Sequence, residues 1–142
     1  CYAIIQNFDR LTYSAVTNLV VAETLSDPIF LKYCPLVDGV YDPNGPEADA
    51  GRIEIALTET ADDRLELVSL TASEGVWYED SENQFAGATL FYEHAKSLLT
   101  VTGDSVQPCS LNGAYVDRIK MDPKTGNFTA ESSAPSTVQI SR

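Results

Sequence analysis

His94 is the sole histidine of the chain, so any Ser-His-Asp or Cys-His nucleophilic site would have to be built on it. It sits in Glu93-His94-Ala95-Lys96-Ser97, which reads as a turn, where a histidine is ordinarily just solvated. Catalysis at His94 is not expected. Carboxylates are plentiful, and with 21 of them on a small domain chance pairs at glycosidase spacing carry no information. Asp42, Glu47 and Asp49 invite calcium, but their spacing departs from the D-x-[DN]-x-[DN]-G loop, and a solvated acidic loop is the better reading. A lone histidine among scattered acids does not make a zinc site. Neither G-x-G-x-x-G nor G-x-x-x-x-G-K-[ST] occurs, so no phosphate cradle is encoded. The expectation is a non-enzymatic protein with no catalytic residue, metal or cofactor.

Three cysteines cannot all pair internally. Cys34 and Cys109 each follow a strand-like run and each lies beside a proline, in Cys34-Pro35 and Pro108-Cys109. Two readings stand open: a Cys34–Cys109 disulfide formed in an oxidising compartment, or two buried thiols. Asn127-Phe128-Thr129 fits the N-glycosylation sequon, which matters only where the source glycosylates.

At 142 residues the chain amounts to one domain, long enough to bury about 70% of its unfolded surface. Nine basic residues stand against 21 acidic ones, a net charge of -12. That excludes a nucleic-acid binder, which needs a basic footprint, and disfavours an anionic membrane surface. The longest apolar runs, such as Leu19-Val20-Val21-Ala22, are far too short to span a bilayer. A chain beginning at Cys1 is expected to be processed or cut from something larger. A lipid on Cys1 would need a flexible tether, but Tyr2-Ala3-Ile4-Ile5 reads at once as a strand.

The elements that position these residues are strands. Ile53, Ile55 and Leu57 alternate with Glu54, Ala56 and Thr58; Leu65 and Leu67 flank Glu66; Val138 and Ile140 flank Gln139. This period of two puts apolar side chains on one sheet face. No window carries a convincing helical stripe. A frame then repeats. Leu11-Thr12-Tyr13, Val76-Trp77-Tyr78, Leu90-Phe91-Tyr92 and Ile119-Lys120-Met121 are each followed by five turn residues and a second apolar strand. The fifth turn residue is Asn18, Asn83, Ser97 or Gly126, a position predicted to take positive φ. Asp122-Pro123-Lys124-Thr125-Gly126 is the clearest turn, and residues 60–64 read as a further hairpin connection. The outer copies agree more closely still: Asp9-Arg10-Leu11 matches Asp117-Arg118-Ile119, and Ala22-Glu23 matches Ala130-Glu131.

Parity places Leu11 with Tyr13, Val76 with Tyr78, Leu90 with Tyr92 and Ile119 with Met121, all facing a common apolar interior with Ile53, Ile55 and Leu57. Trp77 has the opposite parity, which puts it on the outer face or under a loop, with packing beneath the loop at 37–51 preferred. Hairpins that cannot bury an apolar face alone stack into a rolled or folded sheet. Such a stack has two open strand edges. The expectation is a single all-β domain over residues 1–142, with a loop insertion at about 37–51.

The run Ala72-x-x-Gly75-Val76-Trp77-Tyr78, Phe85-x-Gly87-x-x-Leu90-x-Tyr92, Leu98-x-x-Val101-x-Gly103-Asp104 resembles the LptA/OstA-like repeat of periplasmic lipopolysaccharide-transport proteins. Weaker matches cover residues 8–24 and 117–131. The resemblance implies an open β-jelly roll of stacked antiparallel hairpins, placed in the periplasm or outside the cell. It implies head-to-tail joining through terminal strand edges, and acyl chains carried in an apolar groove. The chain departs from that pattern in its acidity, since a lipid phosphate favours Lys or Arg, and in its insertion and cysteines. The expected function is a structural or assembly module that pairs edge to edge with identical copies or neighbouring repeats. The alternative is a carrier of lipid or lipopolysaccharide acyl chains.

Overall fold

The computed structural model describes residues 2–132 and 137–140. Every regular element among them is a β-strand, as the period of two predicts. In chain order these are β1 (Tyr2–Gln6), β2 (Arg10–Ser14), β3 (Leu19–Glu23) and β4 (Ile29–Cys34), then the short β5 (Leu36–Val37) and β6 (Val40–Tyr41). The long β7 (Glu47–Glu59) and β8 (Leu65–Glu79) follow, then β9 (Gln84–Gly87), β10 (Thr89–Glu93) and β11 (Leu98–Thr102). The last are β12 (Ser110–Leu111), β13 (Ala114–Tyr115), β14 (Arg118–Met121), β15 (Phe128–Glu131) and β16 (Thr137–Ile140). No helix among the described residues is long and apolar enough to cross a membrane.

Fourteen strands form one antiparallel sheet that does not close on itself. Its spine is the β7–β8 hairpin, whose two halves pair with different neighbours. Arg52–Ala56 bond β3, and Ser69–Ala72 of β8 bond β10. Glu47–Ala50 bond β4, and Val76–Glu79 bond β9. Two layers result. The first runs β2-β3-β7-β8-β10-β11-β14-β15-β16, and the second runs β1-β4-β7-β8-β9-β12-β13. The architecture is that of an open β-jelly roll.

The layers part along a line of irregular backbone. The register of β7 on β8 shifts between Ala50 and Arg52, and opposite that shift Glu74 and Gly75 take φ of 61° and 87°. An extra residue of this kind bends a strand and lets it leave one layer for the other. Gly51 crosses Glu74 so closely that a Cβ on it would sit 2.8 Å from the Glu74 Cβ. Ala88, between β9 and β10, turns the same corner and donates its N–H to the Thr102 carbonyl at 2.9 Å. Residues 24–28 and 103–109 cross between layers beside it.

Within the first layer the register builds two continuous inward rows. One passes Leu11, Ala22, Ile53, Ala72, Leu90, Val101, Ile119 and Ala130. The next passes Tyr13, Val20, Ile55, Leu70, Tyr92, Leu99, Met121 and Phe128. The second layer answers with Ile29, Ala48, Ala50, Val76, Tyr78 and Phe85, all buried. Phe85 joins the layers: its ring stacks on Tyr78 with centroids 5.0 Å apart and meets Phe128 edge-on at 5.7 Å. Aromatic pairs at these separations add about 0.5–1.5 kcal/mol each beyond area burial. On the outer face the register sets opposite charges side by side, as in Lys32–Glu47 at 3.2 Å and Arg118–Glu131 at 3.3 Å. Such cross-strand pairs contribute only about 0.2–1 kcal/mol but penalise a one-residue slip.

The turn reading holds at three of its four positions. Asn18, Ser97 and Gly126 have φ of 51°, 47° and 76°. Asn83 keeps negative φ, because its turn is organised differently. Asp80 Oδ1 accepts the N–H groups of Glu82 and Asn83, each at 2.9 Å, and Asn112 Nδ2 donates to Asn83 Oδ1 at 3.0 Å. Residues 60–64 do connect β7 to β8, with Asp63 supplying the positive φ of 57°. The insertion is shorter than expected. Residues 47–51 belong to β7, and β5–β6 form a hairpin of their own around Asp38-Gly39. Ala48 and Ala50 are the inward residues there, and alanine carries too weak an apolar signal to mark a strand.

Candidate functional site

The residues expected to line an apolar groove are placed unequally. Ile53, Val76, Tyr78, Leu90, Ile119 and Met121 are buried. Ile55, Leu57 and Tyr92 are half-buried, and Ile55 and Tyr92 pack against the core. Leu11 and Tyr13 are 51% and 49% exposed. They head the two inward rows, yet they stay about half exposed, whereas Phe128 in the second of those rows is buried and meets Phe85 edge-on at 5.7 Å. Among the described residues β2 bonds only β3, and β1, the corresponding edge of the second layer, bonds only β4. This end of the sheet therefore presents unpaired strand edges together with uncovered Leu11 and Tyr13. Leu36, Val37, Val40 and Tyr41 of the β5–β6 hairpin are exposed as well.

The sequence reading missed the residues that fill the interior. Phe85, Val101, Phe128 and Ile29 are all buried. Phe85 and Phe128 stand at or next to the start of the strand after their turns, and that shared place in the repeat is the signal that would have marked them.

Cys34 and Cys109 do not pair. Both are free and buried thiols. Cys34 closes β4 opposite Tyr2, whereas Cys109 precedes β12 and donates its Sγ–H to the Val101 carbonyl at 3.6 Å. Burial, with Asp117 nearby, pushes the Cys109 thiol up to about 11. A thiol held neutral in this way is a poor nucleophile. Cys1 lies outside the described residues.

His94 opens the β10–β11 turn, and its Nδ1 lies 3.0 Å from the Tyr92 hydroxyl. Burial, followed by the charge of Asp122, raises Tyr92 above the usual phenol range. Asp122 moves the other way. A hydrogen bond from Ser97 Oγ at 2.8 Å, supported by the Lys124 N–H at 2.9 Å, lowers its carboxyl. These groups knit two adjacent hairpin turns together. Among the described residues no three acids, cysteines or histidines gather as a metal ion requires.

No protein-family model and no curated protein matches the chain.

A second feature lies on the outer face, beside the corner. Trp77 is 43% exposed and is not packed beneath the insertion as expected. Its register neighbours are Asp49 on β7 and Ala86 on β9. Around it runs a groove of about 590 Å³. Gly51, Gly75, Ala86 and Gly87 line it, the Gln107 side chain lies against Gly75, and Ser26, Pro28 and Pro108 wall it. Asp49 and Glu74 are its charged residues. Burial, then the charge of Glu47, raises the Asp49 carboxyl above the usual range.

Proposed function

We propose that this chain is a non-enzymatic, extracytoplasmic assembly module of the LptA/OstA-like kind, joining neighbours through the open ends of its sheet. It would serve as a structural component of the cell envelope or of an extracellular fibre. The observation that carries this reading is the uncovered pair Leu11 and Tyr13 on the edge strand β2. A strand edge with an apolar inner face is a template for another strand, and a neighbour docked there extends both inward rows while burying two large side chains. Light scattering across a concentration series tests it. Mass should rise with concentration, and the double substitution L11S/Y13S should abolish the rise. A strict monomer at millimolar concentration overturns the reading.

The alternative, carriage of lipid or lipopolysaccharide acyl chains, draws on the same apolar rows. It has less support, because Tyr78, Phe85, Met121 and Phe128 occupy the interior between the layers. Native mass spectrometry after exposure to lipopolysaccharide separates the two: bound lipid on a monomer favours the carrier, and clean apo protein rejects it.

A further inference from the structure

The groove around Trp77 belongs to neither reading above. It lies at the corner between the layers, with Trp77 on its outer side and the buried Val76 in its lining. Three observations give it a ligand chemistry. First, Trp77 presents a large aromatic surface to solvent beside its small register neighbour Ala86. Second, the carboxylate of Asp49 stands directly across the ladder from Trp77, so their Cβ atoms are about 4.5–5.5 Å apart. It is half-buried and accepts no hydrogen bond and joins no ion pair among the described residues. A partly desolvated carboxylate without a cation is an unmet electrostatic demand, and its raised pKa is the mark of it. Third, among the described residues no Lys, Arg or His lines the groove, whereas Glu74 adds a second carboxylate and Gln107 an amide.

We propose that this groove binds an arginine side chain presented by a partner peptide, its guanidinium stacked on the Trp77 ring and held by the Asp49 carboxylate. A guanidinium is planar, stacks on aromatic faces and bonds carboxylates through two parallel N–H groups. An ammonium can only approach as a point charge, so lysine fits less well. The peptide context follows from the rims. Leu25 and Val106, at the tips of the two loops that wall the groove, are 93% and 84% exposed. Exposed apolar residues in both loops that wall an aromatic and acidic centre would suit apolar residues beside an arginine. The overall charge of -12 draws such a basic segment in.

Trp77 is the chain's single tryptophan, so its fluorescence reports the site directly. The probe is an acetylated, amidated five-residue peptide with one arginine between two leucines. Titration should change Trp77 emission saturably, and calorimetry should give the same Kd. The citrulline peptide, with equal shape and no charge, should not bind. Asp49→Asn should raise Kd roughly tenfold or more, as loss of a close charge pair does. Asp62→Asn, at the far β7–β8 turn, should leave Kd unchanged, which separates this site from general attraction to an acidic protein. Circular dichroism should show both variants folded. Absence of binding by calorimetry, equal binding of the citrulline peptide, or an unchanged Kd in Asp49→Asn overturns the proposal. Equal affinity for free arginine amide overturns its peptide part.

Discussion

The hairpins β2–β3 and β14–β15 are near-copies at opposite ends of one layer. Both open on Asp-Arg followed by an aliphatic residue, and both close on Ala-Glu. The likeness extends to backbone bonds: the Asp9 N–H donates to the Glu23 carbonyl at 2.9 Å, and the Asp117 N–H donates to the Glu131 carbonyl at 2.7 Å. Leu11 and Ile119 even lie in the same inward row. Yet Leu11 is half-exposed, whereas Ile119 is wholly buried. The difference is what stands across the gap. Phe85, pinned between Tyr78 and Phe128, packs over the β14–β15 hairpin, whereas Leu11 and Tyr13 on β2 stay about half exposed. A repeat thus decides which way a side chain faces, and the opposite layer decides whether facing inward buries it.

Removing the cover is the most direct way to break this contrast. Phe85→Ala should cost about 3–5 kcal/mol, read by denaturant unfolding. Near-wild-type stability would show that the packed end does not depend on it. A matched pair sharpens the comparison next. Ile119→Ala should cost about 2–5 kcal/mol, while Leu11→Ala should cost under about 1 kcal/mol in the monomer. Equal losses would mean that Leu11 is covered in solution. The hydrogen bond between turns gives a smaller effect: Ser97→Ala should lower stability less than Ile119→Ala does. Because folding lowers the Asp122 carboxyl, its contribution is present above the unfolded value and is lost as pH falls. The Ser97→Ala penalty should therefore shrink in acid. A penalty that does not change with pH would remove Asp122 from the account.

Cys109 offers a gentler probe of the packed end. Folding raises its thiol from the ordinary 9.0 to about 11, so the folded state holds a proton that the unfolded state has lost between those values. Stability should be unaffected below about pH 9 and should decline as pH rises through that window. Thiol reagents at pH 8 should modify Cys109 only on unfolding. Fast labelling of Cys109 in the native protein would mean that the corner formed by residues 103–109 opens readily.

Much of the architecture was legible in the residues. Alternation at 53–57 and the five-residue turn frame established strands, their facing and the hairpin order, because both signals are local: side-chain parity and the tolerance of Asn, Ser and Gly for positive φ. Asn83 departed from the frame because its side chain is tied to Asn112, far along the chain. The disulfide failed for a similar reason. Proline-flanked strand ends say nothing of where two cysteines lie relative to one another, and the fold keeps Cys34 and Cys109 apart as separate thiols. The groove was legible only as the odd parity of Trp77. Its acid partner, Asp49, lies in a stretch whose prolines and acids read as a loop.

Composition and periodicity, by themselves, determined an all-β chain of antiparallel hairpins with an inward apolar face and an acidic outer one. The sheet's division into two layers, the filling of one end and the uncovering of the other were decided only in three dimensions. So was the meeting of Trp77 with Asp49. Strand pairing joins residues that are distant in sequence, and whether an inward side chain is buried depends on the strand across the gap, which no local pattern records.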